Sequence, residues 1–278
     1  IAEVAIQIED STPYVFFRAK YIDGNAVIQL KRKSDGAVLW SWHIWATSLP
    51  LDEVDITNAD GNTYTILNYN IGNEKGTYYQ WGRKDPYAGF GYKLGPVADI
   101  FESFDGLFIT YDNTQAVYGF NWSERGYYNN WDSNLSARQI DEPVTKTIYD
   151  PSPSGFSVPR RKCFSGFVAE GDTPNKVGDW DKGWNFKTSN SDTQGVFFPA
   201  VGYVSGSSGF PSKTQVDLAG RYWLSSTDID INARDLTVGC TFYFKEGLAR
   251  VCCGFVMGDN IVNVIADGYP IRSQKIEQ

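Results

Sequence analysis

Short runs of apolar and aromatic residues alternate with Gly, Asn, Asp and Pro along the whole chain, and few stretches carry a helical period. Residues 4–8, 14–21, 26–31 and 38–45 read as strands, with Asp23-Gly24-Asn25 and Asp35-Gly36 as hairpin turns, which predicts an antiparallel meander. Residues 58–92 are rich in Asn, Gly and Tyr around an Asp60-Gly61-Asn62 turn. The pattern then predicts a short helical turn at 96–104, strands at 107–111 and 117–122, and a polar loop at 129–135. A short helix is expected at 160–164 after Pro159, a Trp- and Asn-bearing loop at 179–191, and a strand at 196–203. Strands at 221–226, 236–244, 248–257 and 261–266, joined by Lys245-Glu246-Gly247 and Gly258-Asp259-Asn260, predict a second antiparallel meander. No repeat or linker marks a boundary inside 21–278, which reads as one domain. Residues 1–20 read as a leading strand or the tail of a preceding domain.

The densest feature is Trp40-Ser41-Trp42-His43-Ile44-Trp45, which holds three of the nine tryptophans and the single histidine. In a strand, Trp40, Trp42 and Ile44 share one face and Ser41, His43 and Trp45 the other. Such a segment serves either as core or as a platform that stacks on a sugar. The net charge of −8 carries no basic cluster, which excludes a nucleic-acid footprint. No apolar run approaches the roughly 20 residues of a membrane-spanning helix. The chain starts at Ile1 without a signal-like segment, so its start reads as a processing boundary.

Cys163, Cys240, Cys252 and Cys253 show no thiolate metal spacing. Cys252 and Cys253 point to opposite faces of a strand and cannot easily bond to each other, though either could reach Cys240 across a hairpin. Free buried thiols are the expected state.

Six segments, in order, resemble the FISUMP-type domain of bacterial surface and fimbrial-tip proteins. They are Trp40–Trp45, Tyr78-Tyr79-Gln80-Trp81-Gly82-Arg83-Lys84-Asp85-Pro86-Tyr87, and Tyr149-Asp150-Pro151-Ser152 through Pro159. Phe197-Phe198-Pro199-Ala200-Val201-Gly202-Tyr203, Tyr222-Trp223-Leu224-Ser225-Ser226-Thr227 and Gly268-Tyr269-Pro270-Ile271-Arg272 complete the series. The resemblance runs from about residue 20 to the C-terminus. It implies a C-type lectin-like fold: α+β but β-rich, with irregular antiparallel sheets, few short helices and long loops.

Many such domains carry cysteines where this chain has Ser152 and Ser273. If those two cysteines form a bridge, the resemblance implies that the two serines lie side by side. It also assigns Trp40–Trp45, Trp81 and Trp223 to the framework rather than to a ligand. Arg83, Lys84 and Asp85 are then internal ion-pair or turn-fixing residues, a solvated turn being the alternative. Asp150 suits capping or an Asx turn.

Catalysis finds little support. A Ser–His–Asp hydrolase would need His43, and no G-x-S-x-G elbow exists. Carboxylate pairs for glycoside hydrolysis depend on a separation that the sequence does not give. Formylglycine-generating enzymes share the lectin-like fold, but their cysteine motif is absent around Cys252 and Cys253. Asp228, Asp230 and Asn232, followed by Asp235, could suit Ca²⁺, but they lack the signatures of EF-hands and of calcium-dependent lectins, so a plain acidic loop is preferred.

Related domains commonly place ligand contacts between the Tyr-Trp motif and the terminal strand. Here that region offers Asp228, Asp230, Asn232, Arg234 and Asp235, with Asp259, Asn260 and Asn263 nearby. Trp180 and Trp184 are candidates for a sugar-stacking platform, local packing being the alternative. The expectation is a non-catalytic recognition module, an adhesin or fimbrial-tip domain, with a structural or assembly module as the second reading. Its partners would be a glycan, a host or bacterial surface protein, or fimbrial subunits, at an extracellular or outer-membrane surface. No cofactor is expected.

Overall fold

The structure, a computed structural model, describes residues 3–19, 23–36, 38–72, 75–86, 131–133, 143–190, 193–205, 212–230, 236–253, 255–256, 261–262 and 267–277. The elements expected at 96–104, 107–111 and 117–122 lie outside these residues. Within them the chain is β-rich, built from several small antiparallel sheets with two short 3₁₀ segments at Arg161–Phe167 and Glu170–Asp172. The first of these is the turn expected after Pro159.

The predicted N-terminal meander is instead two separate hairpins. Glu3–Glu9 pairs with Thr12–Arg18, and Gly24–Lys31 pairs with Val38–Ala46. Each takes its register from its own turn. Asp10 and Ser11, at φ 48° and 67°, have the left-handed conformations of a two-residue type I′ turn, a signal the residue types alone concealed. In the second hairpin the faces alternate as expected. Trp40 and Trp42 are both half-buried, paired across the ladder with Leu30 and Ile28.

The body of the molecule is closed by its C-terminal residues. Gln274–Lys275 lies between Thr63–Leu67 and Phe156–Ser157 in a four-stranded sheet whose outer strand is Glu53–Thr57. Gly268–Tyr269 lies between Tyr203–Ser205 and Tyr79–Gln80 in another, with Ser212–Thr214 at its edge. The long strands Ala219–Asp230, Leu236–Lys245 and Leu248–Cys253 form three strands of the expected C-terminal meander, while Ile261–Val262 pairs with Phe255–Val256 in a separate two-stranded sheet.

Within that meander, the Glu246-Gly247 turn pairs Lys245 with Leu248 and so places Cys240 opposite Cys253. The two form a disulfide, while Cys163 and Cys252 are buried thiols outside it. The expectation of four free thiols is corrected here. The two-residue turn had already fixed the partners, because antiparallel pairing follows the loop length.

Two aromatic cores fill the interior. One gathers Ile66, Phe164, Phe167, Phe186, Phe198 and Phe242 with their neighbours, including a Phe167–Phe186 stack at 4.9 Å. The other draws on all six motifs of the sequence. Trp45, Tyr79 and Trp81, Tyr149 and Val158, Tyr203, Trp223, and Tyr269 and Ile271 meet in one cluster. Trp131, inside the stretch expected as a polar loop, is fully buried in the same cluster. Each buried indole has an acceptor, as a desolvated N–H requires: Trp81 donates to Leu224 O at 3.0 Å, Trp223 to Tyr79 O at 2.6 Å, and Trp131 to Arg83 O at 3.1 Å. A Cβ at Gly239 would lie 2.6 Å from the Trp223 ring and 2.8 Å from that of Trp81, so no larger residue fits there.

Arg272 joins the two halves of the body. Its Nε donates to Asn70 Oδ1 at 2.8 Å, and its Nη1 donates to Asn68 O and Phe197 O, each at 3.0 Å. The guanidinium lies 4.1 Å from the Phe198 ring centre. Arg272→Met should cost about 3–5 kcal/mol, because it strands buried acceptors that no methionine can satisfy. Urea unfolding monitored by tryptophan fluorescence measures this, and a loss below about 1 kcal/mol would contradict it.

Candidate functional site

Strand Val38–Ala46 turns Ser41, His43 and Trp45 toward the Tyr79–Asp85 segment, and its end is clamped to the start of the paired strand. Asp23 accepts the Ser48 N–H at 2.6 Å and the Ser48 hydroxyl at 2.9 Å. Asn25, directly across the ladder from Trp45, donates through Nδ2 to Gly72 O at 2.8 Å. Gly72 has φ 102°, a backbone conformation that favours glycine, and so can offer its carbonyl there. Between these contacts opens a cleft of about 480 Å³ lined by Asp23, Asn25, Trp45, Ser48, Leu49, Gly72 and Lys75, among others. That volume falls in the range of small-ligand sites. The lining combines one indole, a carboxylate, hydroxyl and amide groups, and an exposed lysine at the rim.

The floor beneath the cleft is a hydrogen-bonded network. His43 contacts Asn25 Oδ1 through Nε2 and the Tyr79 hydroxyl through Nδ1, both at 2.8 Å. Because Asn25 Nδ2 faces a carbonyl, Oδ1 is the acceptor toward His43. The imidazole therefore carries its proton on Nε2 and accepts the Tyr79 O–H at Nδ1. Burial pushes the His43 pKa down to about 4, against the opposing pull of the Asp85 carboxylate and with the aid of the Lys84 charge. With both nitrogens engaged, His43 holds the strand in place.

Next to it, Lys84 and Asp85 form a buried ion pair at 3.2 Å, and the Ser41 hydroxyl donates to Asp85. Lys84 Nζ also donates to the Ser41 carbonyl and lies 4.5 Å from the Trp40 ring centre. Burial lowers the Lys84 pKa, and Asp85 pulls it back up. Of the two readings of Arg83-Lys84-Asp85, the internal one holds, since all three residues are buried.

Of the residues expected to bind ligand, Trp184 lies in strand Gly183–Lys187, where a loop was expected. It is 4% exposed and its indole N–H donates to Lys245 O at 3.0 Å. Trp180 packs edge-on against it at 5.2 Å and is half-buried at the margin of the first core. Trp184 is thus a core side chain, and its ring is not an open platform. Asp228 and Asp230 lie at the end of strand Ala219–Asp230, paired with Val238 and Leu236. Asn232, Arg234, Asp235, Asp259, Asn260 and Asn263 lie outside the described residues.

The cleft residues escaped sequence reading because Asp23-Gly24-Asn25 reads as an ordinary turn and Trp45 as framework. The available signal was a polar turn next in register to an indole. What closes the cleft is the bond from Asn25 to Gly72, 47 residues away.

Two framework details bear on the resemblance. Asp150 accepts the N–H groups of Ser152 at 2.7 Å and Val158 at 2.8 Å, the expected Asx-type role. Burial raises the Asp150 pKa, while Lys146, at 3.9 Å, and these hydrogen bonds lower it. Ser273 Oγ and Ser152 Oγ lie 3.0 Å apart in the interior, so the two positions implied to be neighbours do touch.

Ser152→Cys with Ser273→Cys should therefore oxidise to an internal disulfide and raise the melting temperature by several degrees. Thiol counting before and after reduction checks this, and two persistent free thiols at these positions would refute it. For His43, an imidazole midpoint near 4 is expected by NMR. Since folding holds this base below its ordinary 6.5, its contribution to stability is complete above that value and declines as pH falls toward about 4. A folded-state midpoint near 6.5 would contradict the network. No protein-family model, curated protein or solved structure matches the chain.

Proposed function

We propose that this chain is a non-catalytic recognition module of the C-type lectin-like type, working at an extracellular or outer-membrane surface and binding a glycan in the Asp23–Trp45–Gly72 cleft. The observation that carries the reading is the cleft itself. An indole shares its wall with a carboxylate, an amide and a hydroxyl, the pairing of ring stacking with directional hydrogen bonds that suits a sugar. Polar groups held on a rigid scaffold are how binding loops usually work.

Three further observations support it. Asp23 is the one acid among the described lining residues, and a glycosidase would need two facing carboxylates. His43, the single histidine, spends both nitrogens on structure and so is not poised to activate a nucleophile. The Cys240–Cys253 disulfide is the kind of bond that persists in oxidising compartments. The touching of Ser152 and Ser273, and the burial of Trp81 and Trp223 in one cluster with Trp45 packed against it, agree with the framework roles that the resemblance implies.

Ala46→Trp should fill the cleft without removing a core group, since Ala46 lines it from the end of its strand. The expected outcome on a broad glycan array is specific binding by the parent chain and a loss of at least about tenfold in the variant, worth about 1.4 kcal/mol, with unchanged circular dichroism. Silence across the array, or equal binding by the variant, would overturn the assignment. Binding to extracellular proteins alone would move the ligand class from glycan to protein.

A further inference from the structure

The polar side chains of the cleft divide into committed acceptors and uncommitted donors. The Asp23 carboxylate turns its oxygens to Ser48, taking the N–H at 2.6 Å and the hydroxyl at 2.9 Å, and Asn25 Oδ1 takes His43. Three donors of the same lining remain. Among the described residues, the Trp45 indole N–H and the Lys75 ammonium have no hydrogen bond or ion pair. Thr47 Oγ1 accepts the Leu49 N–H at 3.0 Å, and its own proton goes to no group there.

Lys75 is placed by the body of the molecule. Close by in the chain, Thr77 gives both its N–H and its hydroxyl to Ile71 O, at 2.8 and 2.9 Å. Gly76, at φ 82°, lies so near Asn70 and Pro270 that a Cβ there would be 2.9 and 3.0 Å from theirs. The backbone beside Lys75 is therefore fixed, while the residue itself is exposed at the rim. A neutral sugar hydroxyl brings a donor with every acceptor, whereas an anionic oxygen group only accepts. Hydrogen bonds to a charged acceptor are also about twice as strong as neutral ones. The chain's net charge of −8 opposes such a ligand mainly at long range, and at physiological salt exposed charges more than about 8 Å apart are largely screened. The groups within reach decide, and the uncommitted ones donate.

Resting on the glycan reading of this cleft, we propose that its ligand is an acidic glycan, with a sugar ring against Trp45 and the carboxylate or sulfate ester of that sugar bound by Lys75. Lys75 is then the residue that sets specificity, because it separates a charged sugar from its neutral counterpart where the indole face accepts either.

Isothermal titration of the full chain with paired probes tests this: oligogalacturonate against its methyl ester, sialyllactose against lactose, and galactose 6-sulfate against galactose. At least one acidic probe should bind about tenfold or more tightly than its neutral partner, and the pair that responds tells uronic, sialic and sulfated sources apart. Lys75→Gln should bring that ratio close to one with unchanged circular dichroism, and Lys75→Arg should keep it. Raising NaCl from about 50 to about 500 mM should weaken the acidic probe more than the neutral one. Ala46→Trp should abolish binding of the acidic probe. Equal binding within every pair, a preference that survives Lys75→Gln, or silence with all acidic probes would overturn the proposal. Neutral glycans that bind the parent chain and are lost in Ala46→Trp would leave the cleft assignment standing without it. Acidic binding that Ala46→Trp leaves intact would overturn both.

Discussion

A guanidinium taken out of water must find acceptors or unfold the region around it, and Arg272 meets that demand with groups drawn from distant parts of the chain. Its acceptors at Asn68 and Asn70 are 204 and 202 residues away, and Phe197 O is 75 residues away. Burial pushes its pKa down to about 10, so the charge is costly and the hydrogen bonds around it are what make it tolerable. The same C-terminal segment supplies Ile271 O to Ile71 N–H and Ser273 O to Leu67 N–H, and Pro270 O accepts from Trp223 N–H. Both four-stranded sheets have a strand from residues 268–275 as an inner member. A topology this non-local closes slowly, because loop entropy is lost before the contacts that offset it can form.

The cleft inherits its rigidity from that frame. Tyr79 pairs with Tyr269 in the ladder and also donates its hydroxyl to His43. His43 fixes Asn25, Asn25 fixes Gly72, and Gly72 lies directly after Ile71, the residue that the C-terminal segment holds. The chain of bonds runs without a break from the C-terminus to the cleft wall. A preorganised wall loses little entropy when a ligand arrives, which is where a shallow polar site gains its affinity.

Sequence reading captured what depends on local alternation and turn chemistry. The faces of Trp40–Trp45, the Lys245–Leu248 turn and the Asx role of Asp150 all follow from spacing. It lost what depends on distant partners. Trp131 and Trp184 look like loop residues because their neighbours are polar, and only contacts with Arg83 and Lys245 make them core. The C-terminal disulfide was legible in register but was outweighed by the general tendency of cysteine to be buried and free. Ser152 and Ser273 were placed together through family resemblance, since nothing in their own chemistry would pair two serines 121 residues apart.

The two N-terminal hairpins make an instructive contrast. Both are two-stranded, so neither is stable by itself. The second is tied to the body through His43–Tyr79, the buried Lys84–Asp85 pair beneath Ser41, and the packing of Trp45 into the motif cluster. Its apolar groups are covered by the chain it belongs to. The first has exposed large apolar side chains on both faces, Val4, Ile6, Ile8 and Phe17 on one and Tyr14 and Phe16 on the other. A tight turn at Asp10-Ser11 and the Arg18–Glu3 ion pair set its shape. Two neighbouring elements of the same size are therefore under different constraints. One is held by buried contacts with the body, and the other takes its shape from its own ladder, turn and ion pair.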